Sequence, residues 1–180
     1  MIKKIKKIIL RFPFVSRISK FFFKSNIERF REMGCRIGDN CNFGNIELSS
    51  EPYLITIGNH VQITDGVKIF THGGAWLFRQ KITDFDFFGK VTICNNVYIG
   101  NNALIMPGVT IGDNVLVAAG SVVTKSLLPN GVYGGNPARM ICSLDEWKKK
   151  MIPYNVHTKS LSPEEKQRYL TNENLIFVNK

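Results

Sequence analysis

The sequence predicts an all-β solenoid with helical segments at its N- and C-terminal ends, and three observations predict it. Every sixth residue from Ile93 to Val123 is Ile or Val: Ile93, Ile99, Ile105, Ile111, Val117, Val123. Ile and Val make up 33 of the 180 residues, so six in a row at one register have a chance on the order of 10⁻⁵. The residue four further on is small or aliphatic (Val97, Ala103, Val109, Val115, Ser121, Leu127), and Gly, Asn and Asp cluster between. A flat strand alternates faces at every residue. One large inward aliphatic per six, followed by a turn signal, instead makes one side of a three-sided coil. Such coils stack at the ~4.8 Å spacing of neighbouring strands, and their β-branched columns fill a core that no single coil could bury. A β-sandwich would place its turns every ~8–12 residues rather than every six.

Taken in order, residues 1–33 form a basic amphipathic helical segment. Ile2, Ile5, Ile9 and Phe12, then Val15, Ile18 and Phe22, fall close to helical spacing with lysines on the other face, and Pro13 divides the segment in two. Residues 34–142 form the β-helix. Further hexads start at Ile37, Ile57, Ile63 and Ile69, and about five coils fit between residues 35 and 141. Two interruptions stand out. The register slips by two between Ile37 and Ile57, and residues 71–90 carry no hexad signature. That insertion is rich in aromatics (Trp76, Phe78, Phe85, Phe87, Phe88), suited to a neighbouring subunit or a ligand, and a long loop in a regular solenoid is usually functional. Residues 143–180 form a helical tail. Its Ser143-Leu-Asp-Glu146 and Ser162-Pro-Glu-Glu165 read as N-caps with acids in the first turn.

Composition narrows the function classes. The net charge of +10 is local: residues 1–31 hold ten basic residues against the single acid Glu28, which is +9 and leaves +1 for the rest. A near-neutral body speaks against nucleic acid as the partner. Basic residues alternating with Ile and Phe suit a peripheral contact with an anionic membrane surface, and equally a helix that caps the first coil. No apolar run reaches the ~18 residues of a spanning helix. Four cysteines (Cys35, Cys41, Cys94, Cys142) without C-x-x-C spacing fit reduced thiols rather than a zinc ribbon or disulfide scaffold. With no secretory signal legible, the expectation is a cytoplasmic protein, or one peripheral at the inner face of the cytoplasmic membrane.

The run Val97-Tyr-Ile-Gly-Asn-Asn-Ala-Leu-Ile-Met-Pro-Gly-Val-Thr-Ile-Gly-Asp-Asn114, with Ala118-Ala-Gly-Ser-Val-Val-Thr-Lys125 and Gly134-Gly-Asn-Pro-Ala-Arg139, resembles the hexapeptide-repeat acyltransferases. Within that family it is similar to the maltose/galactoside O-acetyltransferases, the polysaccharide O-acetyltransferases and the streptogramin acetyltransferases, and the resemblance covers roughly residues 35–142. It implies a left-handed parallel β-helix, a hand opposite to the usual crossover rule. It also implies a homotrimer with active sites between subunits and acetyl-CoA as acyl donor, with no metal. The positions matching the family's CoA contacts are Asn101, Ala119, Thr124, Lys125 and Arg139. The first two offer backbone groups to the pantetheine arm, and Lys125 and Arg139 meet phosphate. Cys142 departs from the pattern, since relatives often carry a basic residue there; Lys148, Lys149 and Lys150 lie nearby as substitutes.

O-acetylation from a thioester needs a base for the attacking hydroxyl and a donor for the oxyanion. Of three histidines, His157 lies in the tail and His60 at a hexad turn, whereas His72 sits where the register ends and the insertion starts, at the place of the family's catalytic histidine. An imidazole suits general-base work at physiological pH. Asp65, Asp84, Asp86 or a backbone carbonyl could orient it. Asn45, Asp65 and Trp76 are candidates for binding the acceptor, a sugar or glycan hydroxyl, placed by the basic segment near a surface polysaccharide or its lipid-linked precursor. An N-acetyltransferase of a nucleotide-linked amino sugar and a streptogramin-type xenobiotic acetyltransferase are the alternatives. A γ-type carbonic anhydrase fails for want of three convergent histidines, and a non-enzymatic scaffold leaves His72 and its aromatic insertion unexplained.

Overall fold

The computed structural model describes residues 25–171, 175 and 177–178; the expectations for residues 1–24 (the Pro13 break, the membrane-facing basic stripe) lie outside them. The first described element is helix α1 (Asn26–Glu32), opened by a capping box in which Ser25 and Glu28 satisfy each other's backbone N–H groups. Its buried Phe30 joins the core of the first coil. Four coils follow. The first carries β1 (Arg36–Ile37), β2 (Asn42–Phe43) and β3 (Glu47–Leu48), and the second β4 (Ile55–Ile57), β5 (Gln62–Ile63) and β6 (Lys68–Ile69). The third carries β7 (Val91–Ile93), β8 (Tyr98–Ile99) and β9 (Leu104–Ile105), and the fourth β10 (Thr110–Ile111), β11 (Leu116–Val117) and β12 (Val122–Val123). A partial fifth turn, β13 (Gly131–Gly134), is closed by the antiparallel β14 (Arg139–Ser143).

Corresponding strands pair in parallel, giving three faces: β1-β4-β7-β10, then β2-β5-β8-β11 continued by β13 and β14, then β3-β6-β9-β12. This is a parallel β-helix, and its core is the column set read from the hexads. Ile57, Ile93 and Ile111 stand in register on the first face, Ile63, Ile99 and Val117 on the second, and Ile69, Ile105 and Val123 on the third. All are buried, as are the smaller fifth-position residues.

The faces meet at three corners, and each corner stacks its own chemistry. At the first, between the first and second faces, Asn40, His60, Asn96, Asn114 and Asn130 all take left-handed backbone, φ 54 to 62°. Short polar side chains tolerate that conformation best. They pair vertically, Asn96 Nδ2 donating to Asn114 Oδ1 at 2.7 Å and Asn114 Nδ2 to Asn130 Oδ1 at 2.9 Å. At the second corner, between the second and third faces, the coils nearly touch. A Cβ added to Gly100 would stand 2.5 Å from the Ala119 nitrogen and 2.9 Å from the Ala118 carbonyl carbon, both backbone that cannot swing aside. Gly100→Ala is therefore expected to cost about 1–3 kcal/mol and to lower the melting temperature by roughly 2–12 °C in a thermal melt.

The slip of two between Ile37 and Ile57 is the net of two changes. The side from Phe43 to Leu48 is one residue short, and the third corner of that coil is three residues longer, holding the 3₁₀ turn Pro52–Leu54. A second slip lies where the hexads read as continuous. Leu127, not a residue six past Val123, pairs with Ile111, so the last corner is two residues short. At the other end the two anticipated N-caps form. Ser143 opens α2 (Leu144–Met151) and Ser162 opens α3 (Pro163–Leu170), each with a full capping box to Glu146 or Glu165. Bonds from Ser143 and Ser162 hold both carboxyls below the ordinary range. Cys35 is sealed under α1, and burial pushes its thiol up to about 12, the profile of an inert core residue.

Candidate active site

The insertion 71–90 leaves and re-enters the third corner, between the third and first faces, through a small antiparallel bridge. His72 pairs with Phe88, and Gly89 N donates to Thr71 O at 2.7 Å. Between these ends the loop packs on itself, with Phe78 stacked on Phe85 at 4.2 Å, Phe85 edge-on to Phe87, and Arg79 Nε donating to Phe85 O at 3.1 Å. Tying down both ends fixes His72 on the rigid coil rather than on a free loop.

His72 Nδ1 lies 2.8 Å from Glu51 Oε2, and the same oxygen accepts from the buried Thr71 hydroxyl at 2.8 Å. Thr71 is held in turn by Ser49, whose Oγ accepts from its backbone N–H at 3.0 Å. A carboxylate only accepts, so Nδ1 carries a proton, and in the neutral ring the lone pair is on Nε2. Phe88 stands edge-on to the ring at 5.7 Å. Beside it opens a cleft of about 490 Å³ lined by Phe70, His72, Gly73, Phe87, Met106 and Pro107. A neutral imidazole with its basic nitrogen free in an apolar cleft can take a proton from a hydroxyl.

Glu51 was not among the candidates to orient His72. Asp65, which was, sits at the second corner, where its Oδ1 accepts from Asn45 N at 2.7 Å. The trace of Glu51 in the sequence is the register slip itself, since the three extra residues at the third corner are what bring an acid under His72. Partial desolvation raises the Glu51 pKa, but hydrogen bonds from Ser50, Thr71 and His72 and the attraction of His72 outweigh it, leaving the carboxyl below the ordinary range. A carboxyl depressed in the fold stabilises above its unfolded pKa of ~4.3 and loses that contribution as pH falls through the folded value. The melting temperature of Glu51→Gln should accordingly lie below that of the native protein at neutral pH. The gap should close as the pH is taken below ~4, as a pair of pH-dependent melts would show.

The remaining candidates fall on two edges. Asn45, Asp65, Asn101 and Ala119 stack at the second corner, linked by Gly66 N to Asn45 O, Asn102 N to Asp65 O and Gly120 N to Asn101 O, all between 2.8 and 3.0 Å. Arg139 follows Ala138, whose N–H bonds Val122 O at the top of that corner. Thr124 and Lys125 are exposed at the third corner, one coil beyond Met106 and Pro107 of the His72 cleft. Neither Lys125 nor Arg139 has an ion-pair partner among the described residues, whereas Lys68 and Arg79 are paired with Glu47 and Asp86. Trp76 does not line the cleft; it is 79% exposed on the insertion. Phe87 and Met106 take its place in the wall. Lys148, weighed as a stand-in near Cys142, lines a different cleft over the second face. His60 and His157 are exposed. Among the described residues no group of three or more His, Cys, Asp or Glu could hold a metal ion, and no helix is long and apolar enough to cross a membrane.

Comparison with known proteins converges on this architecture. The family model described as bacterial transferase hexapeptide (six repeats) matches residues 90–125. Protein CapG of Staphylococcus aureus is 49% identical over 150 residues, 81% of this chain and 87% of that protein. Galactoside O-acetyltransferase of Escherichia coli (strain K12) is 38% identical over 99 residues, spanning 55% of this chain and about half (49%) of that enzyme. A solved galactoside acetyltransferase in complex with coenzyme A superposes with a TM-score of 0.53 at 30% identity, covering 73% of this chain and 78% of that one. The coil has the left hand of these relatives, and the chain belongs to the hexapeptide-repeat family of acetyltransferases.

Proposed function

We propose that the protein transfers an acetyl group from acetyl-CoA to a sugar hydroxyl, in a surface polysaccharide or its lipid-linked precursor. The observation that carries the reading is the Glu51–His72 pair with its free Nε2 in an apolar cleft. His72 Nε2 takes the hydroxyl proton as the oxygen attacks the thioester carbonyl carbon. A backbone N–H holds the tetrahedral oxyanion. Its collapse breaks the C–S bond, and the imidazolium returns the proton to the thiolate leaving group. Glu51 keeps Nδ1–H in place throughout and stabilises the transient imidazolium. The unpaired Lys125 and Arg139 would meet the CoA phosphates. The relatives support donor and acceptor class: one was solved with coenzyme A, and another carries galactoside O-acetylation in its name.

The two groups of candidates occupy opposite edges of the third face, so one copy alone leaves the donor residues at the second corner apart from His72. A homotrimer that sets the third corner of one copy beside the second corner of the next would complete the site, with exposed Trp76 and Leu77 of the insertion in the contact. Residues 1–24, basic and apolar in alternation, would hold this assembly at an anionic membrane surface. The test supplies acetyl-CoA with a panel of mono- and oligosaccharides, follows free thiol release and locates the new ester by NMR. Acceptor-dependent release with an O-acetyl product is the expected result. Amide products from amino sugars alone, or release indifferent to every sugar, would overturn it.

A further inference from the structure

The second face carries a cleft unconnected with His72. It holds about 590 Å³ and lies between the face and α2, which roofs it with Trp147 and Lys148. Its floor is a row of outward side chains in register from coil to coil: Asn42 beside Gln62, Gln62 beside Tyr98, Tyr98 beside Leu116. The amides of Asn42 and Gln62, the Tyr98 hydroxyl and the Trp147 indole have no hydrogen-bond partner among the described residues.

We propose that this cleft binds an anionic oligosaccharide as a site separate from the acetyl-transfer centre. A sugar presents an apolar C–H face and a ring of hydroxyls. Tyr98 and Trp147 offer the aromatic surface and the planar amides offer paired donors and acceptors. The rungs follow one another along the coil axis at strand spacing, so an extended chain meets several in succession where a compact ligand would meet one. Charge selects the kind of chain. Lys148 lines the cleft without an ion-pair partner, Lys149 and Lys150 follow it, and no Asp or Glu lines the walls. The choice of a glycan as ligand rests in part on the transferase reading. For a polymeric acceptor, a second hold would raise the effective concentration of hydroxyls at His72.

The test is calorimetric titration of the full chain, without acetyl-CoA, against four probes: a hexamer of galacturonate, maltohexaose, polyglutamate and ADP. Saturable binding of the acidic hexamer is expected. It should weaken about ten-fold or more in Trp147→Ala and in the surface variant Tyr98→Ala, and stay unchanged in His72→Ala. Absence of hexamer binding, or binding unmoved by both cleft variants, would overturn the proposal. So would equal binding of maltohexaose or polyglutamate, tighter binding of ADP, or loss of binding in His72→Ala. Because no transfer is measured, a failed transferase reading and a failed glycan cleft give separate results.

Discussion

His72→Ala should lower turnover by at least ~10²-fold while the fold stays intact, because a positioned general base contributes about 10²–10⁴ to a proton-transfer step. The separation of the two effects follows from position. The His72 side chain is 37% exposed, so truncating it opens no cavity, and Glu51 keeps its bond from Thr71. Melts of the variant should overlay those of the native protein to within the small change typical of surface sites. The loss should appear in kcat, with KM for acetyl-CoA retained, since Lys125 and Arg139, the residues proposed to meet its phosphates, are untouched. Glu51→Gln gives the graded control. It leaves a group of the same shape at the end of the Thr71–His72 network but removes the charge facing the imidazole, so a smaller fall in turnover is expected. A His72→Ala enzyme within a few-fold of native turnover would end the general-base assignment, whatever the acceptor.

How much of this was legible in the sequence depends on which physical rule each part obeys. The three columns of Ile and Val could be read because a buried aliphatic must recur once per side, and three sides repeat it without exception from Ile93 to Val123. The left-handed Asn column at the first corner is written the same way, in Asn96, Asn114 and Asn130. Glu51 was hidden because two irregularities partly cancel, one residue lost at the second corner and three gained at the third, and a spacing of 20 reports only their sum. The insertion leaves no shift in the register, since Ile69 and Ile93 are 24 residues apart, four whole hexads, and it shows only as the stretch 71–90 without hexads, which is where the chain leaves the coil. Phe87 stood among five insertion aromatics suited to a ligand, but its place in the wall of the His72 cleft could not be read, because it gets there through a bridge between His72 and Phe88 that no periodic pattern encodes.

The sharpest test of the six-fold logic is a pair of adjacent substitutions. Ile93 stands between Ile57 and Ile111 in the first-face column and is fully buried, while its neighbour Thr92 points outward between Thr56 and Thr110. Ile93→Ala removes three carbons from a core that is one residue wide on each side, so the coils above and below must both lose packing. The cost should be about 2–5 kcal/mol, the range for deleting a buried Ile or Leu, which for a chain of this size lowers the melting temperature by roughly 4–20 °C. Thr92→Ala changes the next residue along and should stay near ±0.5 kcal/mol, as for a surface site. In a stack where each coil contacts only its neighbours, weakening one interface weakens the whole column. Loss of acetyl transfer on warming should therefore follow the melt of Ile93→Ala rather than precede it, because the Thr71–His72 segment is carried on the same coils. Equal melting temperatures for the two variants would mean that the inward register is misplaced by one residue, and with it every column of the core.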